Sequence, residues 1–210
     1  MSRALVTGGA GTIGAAVVRR LLGDPDFEIR VSDQRPAPDW MREGAGVHTG
    51  DLREPGEAQR AIRGCTHVIH LAGADGPFTE AEVDLALLRA AADEGVERFT
   101  YASASGEGEL ARAAHEELGL PITICRTFGL GTCAPTHPDD IADGVVTATT
   151  HPAGLNEDFD IATSEVLPVE ELELEQASVT RPSTEKAERL LGWRARHGAR
   201  EGIEAWLAAR

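Results

Sequence analysis

Short apolar runs alternate along the chain with segments whose apolar residues recur at helical spacing. The runs predict β-strands at residues 4–8, 27–33, 46–51, 66–73, 97–104 and 121–127. The segments between them predict helices at residues 14–23, 56–64, 79–95 and 108–119. Runs such as VIHLA are apolar throughout, which is typical of strands buried on both sides. The pattern therefore predicts an α/β fold with a doubly wound parallel sheet and helices on both faces.

The pattern changes after residue 127. It predicts a helix at 136–152 and a strand followed by a short helix at 158–173. Further helices are predicted at 183–193 and 200–210. We therefore divide the chain into a core at residues 1–132 and a reduced C-terminal lobe at residues 133–210 that packs on the core.

A glycine-rich turn, TGGAGTIG at residues 7–14, joins the first strand to the first helix. Its G-x-x-G-x-x-G spacing lets the backbone approach a pyrophosphate closely, and amides at the helix N-terminus bind the phosphate charge. Asp33 ends the second strand, where a carboxylate accepts hydrogen bonds from a ribose and repels a 2′-phosphate. The pattern predicts a Rossmann core that prefers NAD to NADP. Arg35 weakens that preference, and a turn-forming role is the alternative for Asp33.

Composition narrows the classes of partner. The formal charge of −15 is spread along the chain, which disfavours binding to nucleic acid or to an anionic membrane surface. No run of 18 apolar residues occurs, so we expect no membrane span.

Cys65, Cys125 and Cys133 form no C-x-x-C motif, so we expect neither a disulfide framework nor a metal site. The strand pattern begins at once, and we expect no signal peptide and a cytoplasmic location.

Several motifs together resemble the extended short-chain dehydrogenase/reductase family, also called the NAD-dependent epimerase/dehydratase family. They are TGGAGTIG (7–14), GDLR (50–53), HLAG (70–73), RFTYAS (98–103), GLPITICRTFGLG (119–131), HPDDIA (137–142) and STEKAERLLGW (183–193). The resemblance covers nearly the whole chain. It implies an NAD cofactor, a hydroxylated or keto small-molecule substrate such as a nucleotide sugar, and a homodimer formed through the helices at 79–95 and 108–119.

The resemblance and the glycine turn together assign the cofactor contacts. Asp51 is expected near the adenine, and the turn after the fourth strand beside the pyrophosphate and the nicotinamide ribose. The predicted contacts are Thr7, Gly8, Gly11, Thr12, Ile13, Gly14, Asp33, Gln34, Arg35, Asp51, Leu52, Leu71, Ala72, Gly73, Ala102 and Ser103.

The catalytic pair of the family is missing from this chain. The family uses a tyrosine and a lysine four residues on, whose positive charge lowers the pKa of the tyrosine. Tyr101 and Lys186 are the only tyrosine and the only lysine here, and they are 85 positions apart. By resemblance, Tyr101 packs within the fifth strand and Lys186 has a structural place in a C-terminal helix.

We name Ser103, Ser105 and His137 as candidate catalytic residues. The two serines flank Ala104, which aligns with the catalytic serine of the family, and they could hold a substrate hydroxyl; capping backbone groups in a turn is their alternative role. His137 could move a proton, or it could simply start the following helix. Further candidates for these roles are Thr127, Glu107, Glu109 and His115.

The segments after the fifth and sixth predicted strands are shorter than in the family, and both losses fall on the substrate side. Two hypotheses therefore stay open. The first is an enzyme with a non-standard acid or base. The second is a non-catalytic module whose shape or choice of partner depends on bound dinucleotide.

Overall fold

The computed structural model describes residues 1–54, 56–71, 81–103, 108–168 and 180–209. The strands in these ranges are β1 (Ser2–Thr7), β2 (Phe27–Asp33), β3 (Gly46–Thr49), β4 (His67–His70), β5 (Arg98–Ser103), β6 (Ile122–Thr127) and β7 (Asp158–Ile161). The helices are α1 (Thr12–Leu22), α2 (Asp39–Gly44), α3 (Glu57–Ile62), α4 (Ala81–Glu94), α5 (Glu109–Leu118), α6 (Pro138–Thr150), α7 (Glu185–Leu191) and α8 (Ala199–Ala208). A 3-10 turn covers Pro152–Gly154.

The described strands form one seven-stranded sheet in the order β3-β2-β1-β4-β5-β6-β7. Every neighbouring pair is parallel. The strand order runs outwards in both directions from the boundary between β1 and β4, so this boundary is the topological switch point of the sheet. The predicted α/β fold with a doubly wound parallel sheet is confirmed.

Helices cover both faces of the sheet because alternate strand residues project to opposite sides. On one face, Val6 and Phe159 belong to a buried cluster with Val17 of α1. On the other face, Leu5 and Phe99 lie in a second cluster, which contains residues of α3, α4 and α5. The sheet is therefore buried on both sides, as its apolar strand sequences predict.

One helix of the structure was not predicted, and one predicted helix reaches residues outside the described part of the chain. Helix α2 was not predicted, since it has six residues, of which only Met41 is buried, and so shows no measurable periodicity. The helix predicted after the last strand is absent from residues 162–168, and residues 169–173 lie outside the described part of the chain.

The C-terminal part of the chain is joined to the core by helix α6 and strand β7. Helix α6 packs against α1, and β7 extends the central sheet beside β6. The buried carboxylate of Asp140 accepts hydrogen bonds from the backbone N–H groups of Arg196 and His197, both at 2.8 Å. The division of the chain at residue 132 stays a prediction.

A cluster of ion pairs links β6, β7 and α7. Asp158 accepts hydrogen bonds from Arg126 Nη1 at 2.8 Å and from Lys186 Nζ at 3.0 Å. Arg126 Nε also donates to Asp160 at 2.5 Å. Partial burial opposes the charge of Asp158, but the hydrogen bonds from Arg126 and Lys186 outweigh it and hold its pKa well below its usual range.

No helix among the residues described here combines the length and the apolar character that a membrane crossing requires.

We expect Asp158→Asn to lower the melting temperature by a few degrees at pH 7. A carboxyl group with a depressed pKa in the folded state stabilises the fold above its unfolded pKa of about 3.9, and the stabilisation is lost as the pH falls towards the folded value. The difference between wild type and variant should therefore shrink below about pH 4. Calorimetric melting across this range measures the effect, with Asp93→Asn on exposed α4 surface as the matched control. An undiminished difference in acid would contradict the assignment.

Candidate functional site

The loop between β1 and α1 requires glycine at two positions. Gly8 has a φ of 67°, in the left-handed region that glycine adopts without strain. Its N–H donates to Ser32 O at 2.9 Å, and Gly11 N–H donates back to Gly8 O at 3.0 Å. A Cβ at Gly14 would clash with the carbonyl oxygen of Gly8. The loop therefore folds tightly over the first turn of α1.

No side chain caps the amino end of α1. The N-cap residue is Gly11, which has no side chain to accept a hydrogen bond, and the first turn contains no acidic residue. Ala15 N–H donates to Gly11 O at 2.8 Å, whereas the amides of residues 12–14 have no carbonyl one turn earlier in the helix. These amides and the positive end of the helix dipole suit an anionic group.

Asp33 lies beside this loop at the end of β2. Its Oδ2 accepts a hydrogen bond from Ala10 N–H at 2.9 Å, and its Oδ1 accepts one from Arg35 N–H at 2.8 Å. The guanidinium of Arg35 approaches the same carboxylate at 3.3 Å. The side chain of Asp33 is only 8% exposed, whereas that of Arg35 is 58% exposed. A carboxylate accepts about four hydrogen bonds, and Nε and Nη2 of Arg35, at 3.3 and 3.4 Å, take the two that the backbone amides leave. A ligand hydroxyl would therefore bind Asp33 by displacing this exposed guanidinium.

A buried chain of hydrogen bonds spans the switch point. The Thr7 hydroxyl accepts from Leu71 N–H at 3.3 Å and is hydrogen-bonded to His70 Nδ1 at 2.6 Å. His70 Nε2 donates to Asp84 Oδ1 at 2.8 Å, and the Tyr101 hydroxyl donates to Asp84 Oδ2 at 2.7 Å. The Thr7 hydroxyl donates to His70 if Nδ1 carries no proton and accepts otherwise. The network joins β1, β4, β5 and α4 beneath the glycine loop.

Sequence analysis missed the pairing of His70 with Asp84, although one signal was available. Asp84 stands three and four residues before Leu87 and Leu88, on the buried stripe of α4. A carboxylate is rarely buried unless it is hydrogen-bonded, so its position on an apolar stripe predicts partners within the core. Which partners it meets depends on the sheet order, and the local pattern does not give that.

The remaining predicted cofactor residues vary in exposure. Asp51 is engaged by Arg53, whose side-chain hydrogen bonds lower the pKa of that carboxyl group. Gln34 is exposed, while Leu52, Leu71 and Ala102 are buried in the two core clusters. Ala72 and Gly73 lie outside the described residues. The cofactor contacts of all these residues stay predictions.

Ser103 ends β5 and is 4% exposed. It stands beside Arg126 in the register of β5 and β6, and Arg126 stands beside Asp160 in β7. The three residues form a polar row near the carboxyl edge of the sheet. Ser105 lies outside the described residues.

His137 is the N-cap of α6. Its Nδ1 accepts a hydrogen bond from Asp139 N–H at 3.2 Å, and its ring stacks on that of His197 with centroids 4.1 Å apart. The geometry gives His137 the helix-starting role that the sequence left open. Its catalytic role and that of Ser103 stay predictions.

The other candidate catalytic residues differ in whether their side chains are exposed or already have hydrogen-bond partners. The Thr127 hydroxyl is buried and has no hydrogen-bond partner among the described residues. His115 donates to Leu120 O at 2.8 Å if its proton is on Nδ1, and Glu109 is exposed in the first turn of α5. Glu107 lies outside the described residues.

Two classes of chemistry find little support in the described residues. Complete burial raises the pKa of Cys125 to about 12, so this thiol is no nucleophile at neutral pH. No group of three His, Cys, Asp or Glu side chains in these ranges is placed to hold a metal ion.

The sequence matches a known family model and two curated proteins. The model of the NAD dependent epimerase/dehydratase family matches residues 4–109, just over half of the chain. The chain is 34% identical over 105 residues to an NAD(P)H azoreductase from Xenophilus azovorans, covering 49% of this chain and 35% of that protein. It is 29% identical over 151 residues to an NmrA-like family domain-containing protein from Dictyostelium discoideum, covering 69% of this chain and 50% of that protein. The chain thus spans half or less of the length of these relatives.

Solved structures establish the same fold. The UDP-glucose 4-epimerase of Thermotoga maritima, with UDP-glucose, superimposes with a TM-score of 0.77 at 18% identity, covering 98% of this chain and 99% of that one. The dTDP-glucose 4,6-dehydratase DesIV of Streptomyces venezuelae, with NAD bound, gives a TM-score of 0.78 at 21% identity and covers 99% and 96%. At such identities the likeness extends to the fold alone.

We expect the buried network to behave as one unit. Tyr101→Phe and Asp84→Asn should each destabilise the fold by about 1–3 kcal/mol, since each change leaves a buried polar group without a matched partner. The double variant should lose less than the sum of the two single losses, because the charge-assisted hydrogen bond from Tyr101 to the Asp84 carboxylate is already absent from each. Denaturant unfolding of the four proteins measures the coupling. Strict additivity would contradict the hydrogen bond.

Proposed function

The chain belongs to the NAD dependent epimerase/dehydratase family, and from that premise we propose that it binds NAD across the switch point and acts on a hydroxylated or keto small molecule. The proposed site works without the Tyr-x-x-x-Lys pair. One observation carries the proposal: the amino end of α1 is uncapped beneath a loop in which Gly14 leaves no room for a side chain. Such a cradle suits the pyrophosphate of a dinucleotide.

We assign the parts of the cofactor to the residues around this cradle. The amides of Thr12, Ile13 and Gly14 would bind the pyrophosphate, and Asp33 would accept the ribose hydroxyls of the adenosine half once the exposed guanidinium of Arg35 turns away. The turn that follows β4 would face the nicotinamide ribose. Bound NAD supplies a hydride acceptor or donor, and the chain must supply the substrate contacts and the proton carrier.

We further propose that NAD is preferred to NADP. Asp33 at the end of β2 repels a 2′-phosphate, and its burial beside the loop keeps that charge close to the ribose position. Arg35 opposes this preference, since its exposed guanidinium could turn towards a phosphate. We expect the carboxylate to dominate because it is fixed by two backbone amides.

For the substrate side we propose Ser103 as the group that holds a substrate oxygen, with Ser105 or His137 as the proton carrier. Ser103 ends β5, at the sheet edge where catalytic groups of doubly wound folds gather. Tyr101 is an unsuitable carrier because its hydroxyl donates to buried Asp84. The nucleotide sugars named for the solved epimerases are one substrate class to test, and smaller carbonyl compounds are another.

The alternative proposal is a binding module without turnover. It is favoured by the place of the only lysine: Lys186 lies on α7 and pairs with Glu157 and Asp158. It therefore cannot lower the pKa of a tyrosine at the crevice without leaving those partners. In this alternative, bound dinucleotide would fix the conformation of the crevice and thereby control a partner.

We keep the remaining expectations about partners as proposals. Leu85 on α4 and Leu110 and Leu118 on α5 are 38–43% exposed, which supports a homodimer through these two helices. The charge of −15 argues against nucleic acid and anionic membranes as partners. The three cysteines are buried and unpaired, which is consistent with the reducing cytoplasm.

We expect calorimetry to show one NAD site per chain, and Gly14→Ala to weaken NAD by at least about tenfold, because its methyl group must displace Gly8 from the loop. Gly23→Ala at the other end of α1 is the matched control, since its Cβ would meet Arg20 O at an ordinary 3.4 Å. It should bind NAD as wild type does. Absence of saturable binding to a folded wild type would overturn the cofactor assignment.

Turnover separates the enzyme from the module. Purified protein with NAD and a panel of alcohols, or with NADH and ketones, should change the absorbance of reduced nicotinamide, and Gly14→Ala should remove the change. A redox-neutral epimerisation or dehydration requires product analysis of nucleotide sugars as well. Clear NAD binding without turnover in either assay would favour the module.

We expect Asp33→Arg to shift the ratio of NAD to NADP affinity by about tenfold or more towards NADP, since it replaces a repelling carboxylate with a phosphate-binding cation. Arg35→Gln should shift the ratio the other way. Titration of both dinucleotides into wild type and the two variants measures the ratio, and an unchanged ratio in Asp33→Arg would refute the assignment.

A further inference from the structure

A groove of about 420 Å³ runs along β1, β2 and β3 on the face covered by α3. Its lining includes Arg3, Arg30, Arg60, Arg63 and His48. Four arginines around one groove stand out in a chain with a charge of −15. The groove extends from Arg3, at the end of β1 away from the glycine loop, to His48, which pairs with Ser32 in the register of β2 and β3. The four-residue step from Arg3 to Thr7 along β1 spans roughly 13 Å.

Two of these arginines lack a carboxylate partner in the described part of the chain. Arg30 Nη1 donates to the carbonyl oxygens of Ala61 and Arg63, at 2.9 and 2.8 Å, near the end of α3. These bonds hold its guanidinium in place without neutralising its charge. The side chain of Arg63 is exposed and makes no hydrogen bond or ion pair to the described residues.

Arg3 adds an unsatisfied donor to the same groove. Its Nη2 pairs with Glu28 at 2.8 Å, but its Nε is buried and has no hydrogen-bond partner among the described residues. Gly64 has a φ of 72°, and a Cβ there would lie 3.0 Å from Arg3 Nη1. The absence of a side chain at Gly64 lets this guanidinium lie against the backbone at the edge of the groove.

The acidic residues around the groove are already engaged. Glu57 pairs with Arg60 and with His48 Nε2, the latter at 2.8 Å. Glu94 accepts a hydrogen bond from Gly64 N–H at 2.6 Å. Glu94 keeps its charge, because a backbone amide does not neutralise a carboxylate, so four arginines face three carboxylates around the groove. Arg30 and Arg63 are the two of these arginines outside any ion pair to the described residues.

We propose that this groove binds a small anion carrying two or more phosphate groups, at a site separate from the dinucleotide crevice. Planar guanidinium groups bind phosphate oxygens in pairs, and Arg30 is already oriented by its carbonyl contacts. The volume falls within the range of about 300–1,000 Å³ that is usual for small-molecule sites. The acidic surface elsewhere repels anions, so the arginines provide the attractive potential on this face.

The test is titration of inorganic tripolyphosphate into the full chain at low salt, with and without saturating NAD. We expect one site per chain, with an affinity that NAD leaves unchanged and that falls as salt rises. Arg63→Gln should weaken binding by about tenfold, because it removes charge-assisted hydrogen bonds. Its fold should persist, because this side chain holds no other described residue in place. Arg89→Gln, on the exposed surface of α4, removes the same charge elsewhere and should bind as wild type does.

Three outcomes would overturn the proposal. Absence of saturable binding would remove the site. Equal weakening by Arg63→Gln and Arg89→Gln would reduce the effect to overall charge. Competition by NAD would mean that tripolyphosphate binds at the glycine loop. The proposed cofactor site would then stand, and the arginine site would fail.

Discussion

The hydrogen bond between Thr7 and His70 joins the ends of β1 and β4, the two strands whose following helices leave to opposite faces of the sheet. A crevice opens where such helices part, and the geometry of that crevice depends on how the two strand ends are held. Here the restraint continues through Asp84 to Tyr101. A buried polar network of this kind is stable only when each member is satisfied, so it specifies one arrangement of four elements.

The same restraint holds the side of the crevice where we propose that the cofactor binds. The glycine loop sits on β1, whose end is fixed, and its own backbone bonds close it over α1. The only tyrosine and the only lysine of the chain both have structural partners. Tyr101 supports the buried carboxylate of Asp84, and Lys186 binds Asp158 on the outer strand.

Positive potential occurs at two places along the strands, although the net charge of the chain is −15. At the carboxyl end of β1 the positive potential comes from backbone amides of α1, which need no basic side chain. Near the start of β1 and in the middle of β2 it comes from Arg3 and Arg30. A chain with an excess of carboxylates can thus offer two regions that attract anions. The acidic surface around these regions repels anions elsewhere.

The sequence by itself determined the strand and helix alternation, the glycine loop with Asp33, and the family, because periodicity and short motifs are local properties of the chain. Its main error of structure, the missing α2, lies in a short segment with little periodicity. Only the tertiary structure brought His70 to Asp84 and gathered the arginines into one groove. These contacts join residues far apart in the chain, and they depend on strand order and on which face each crossover helix covers.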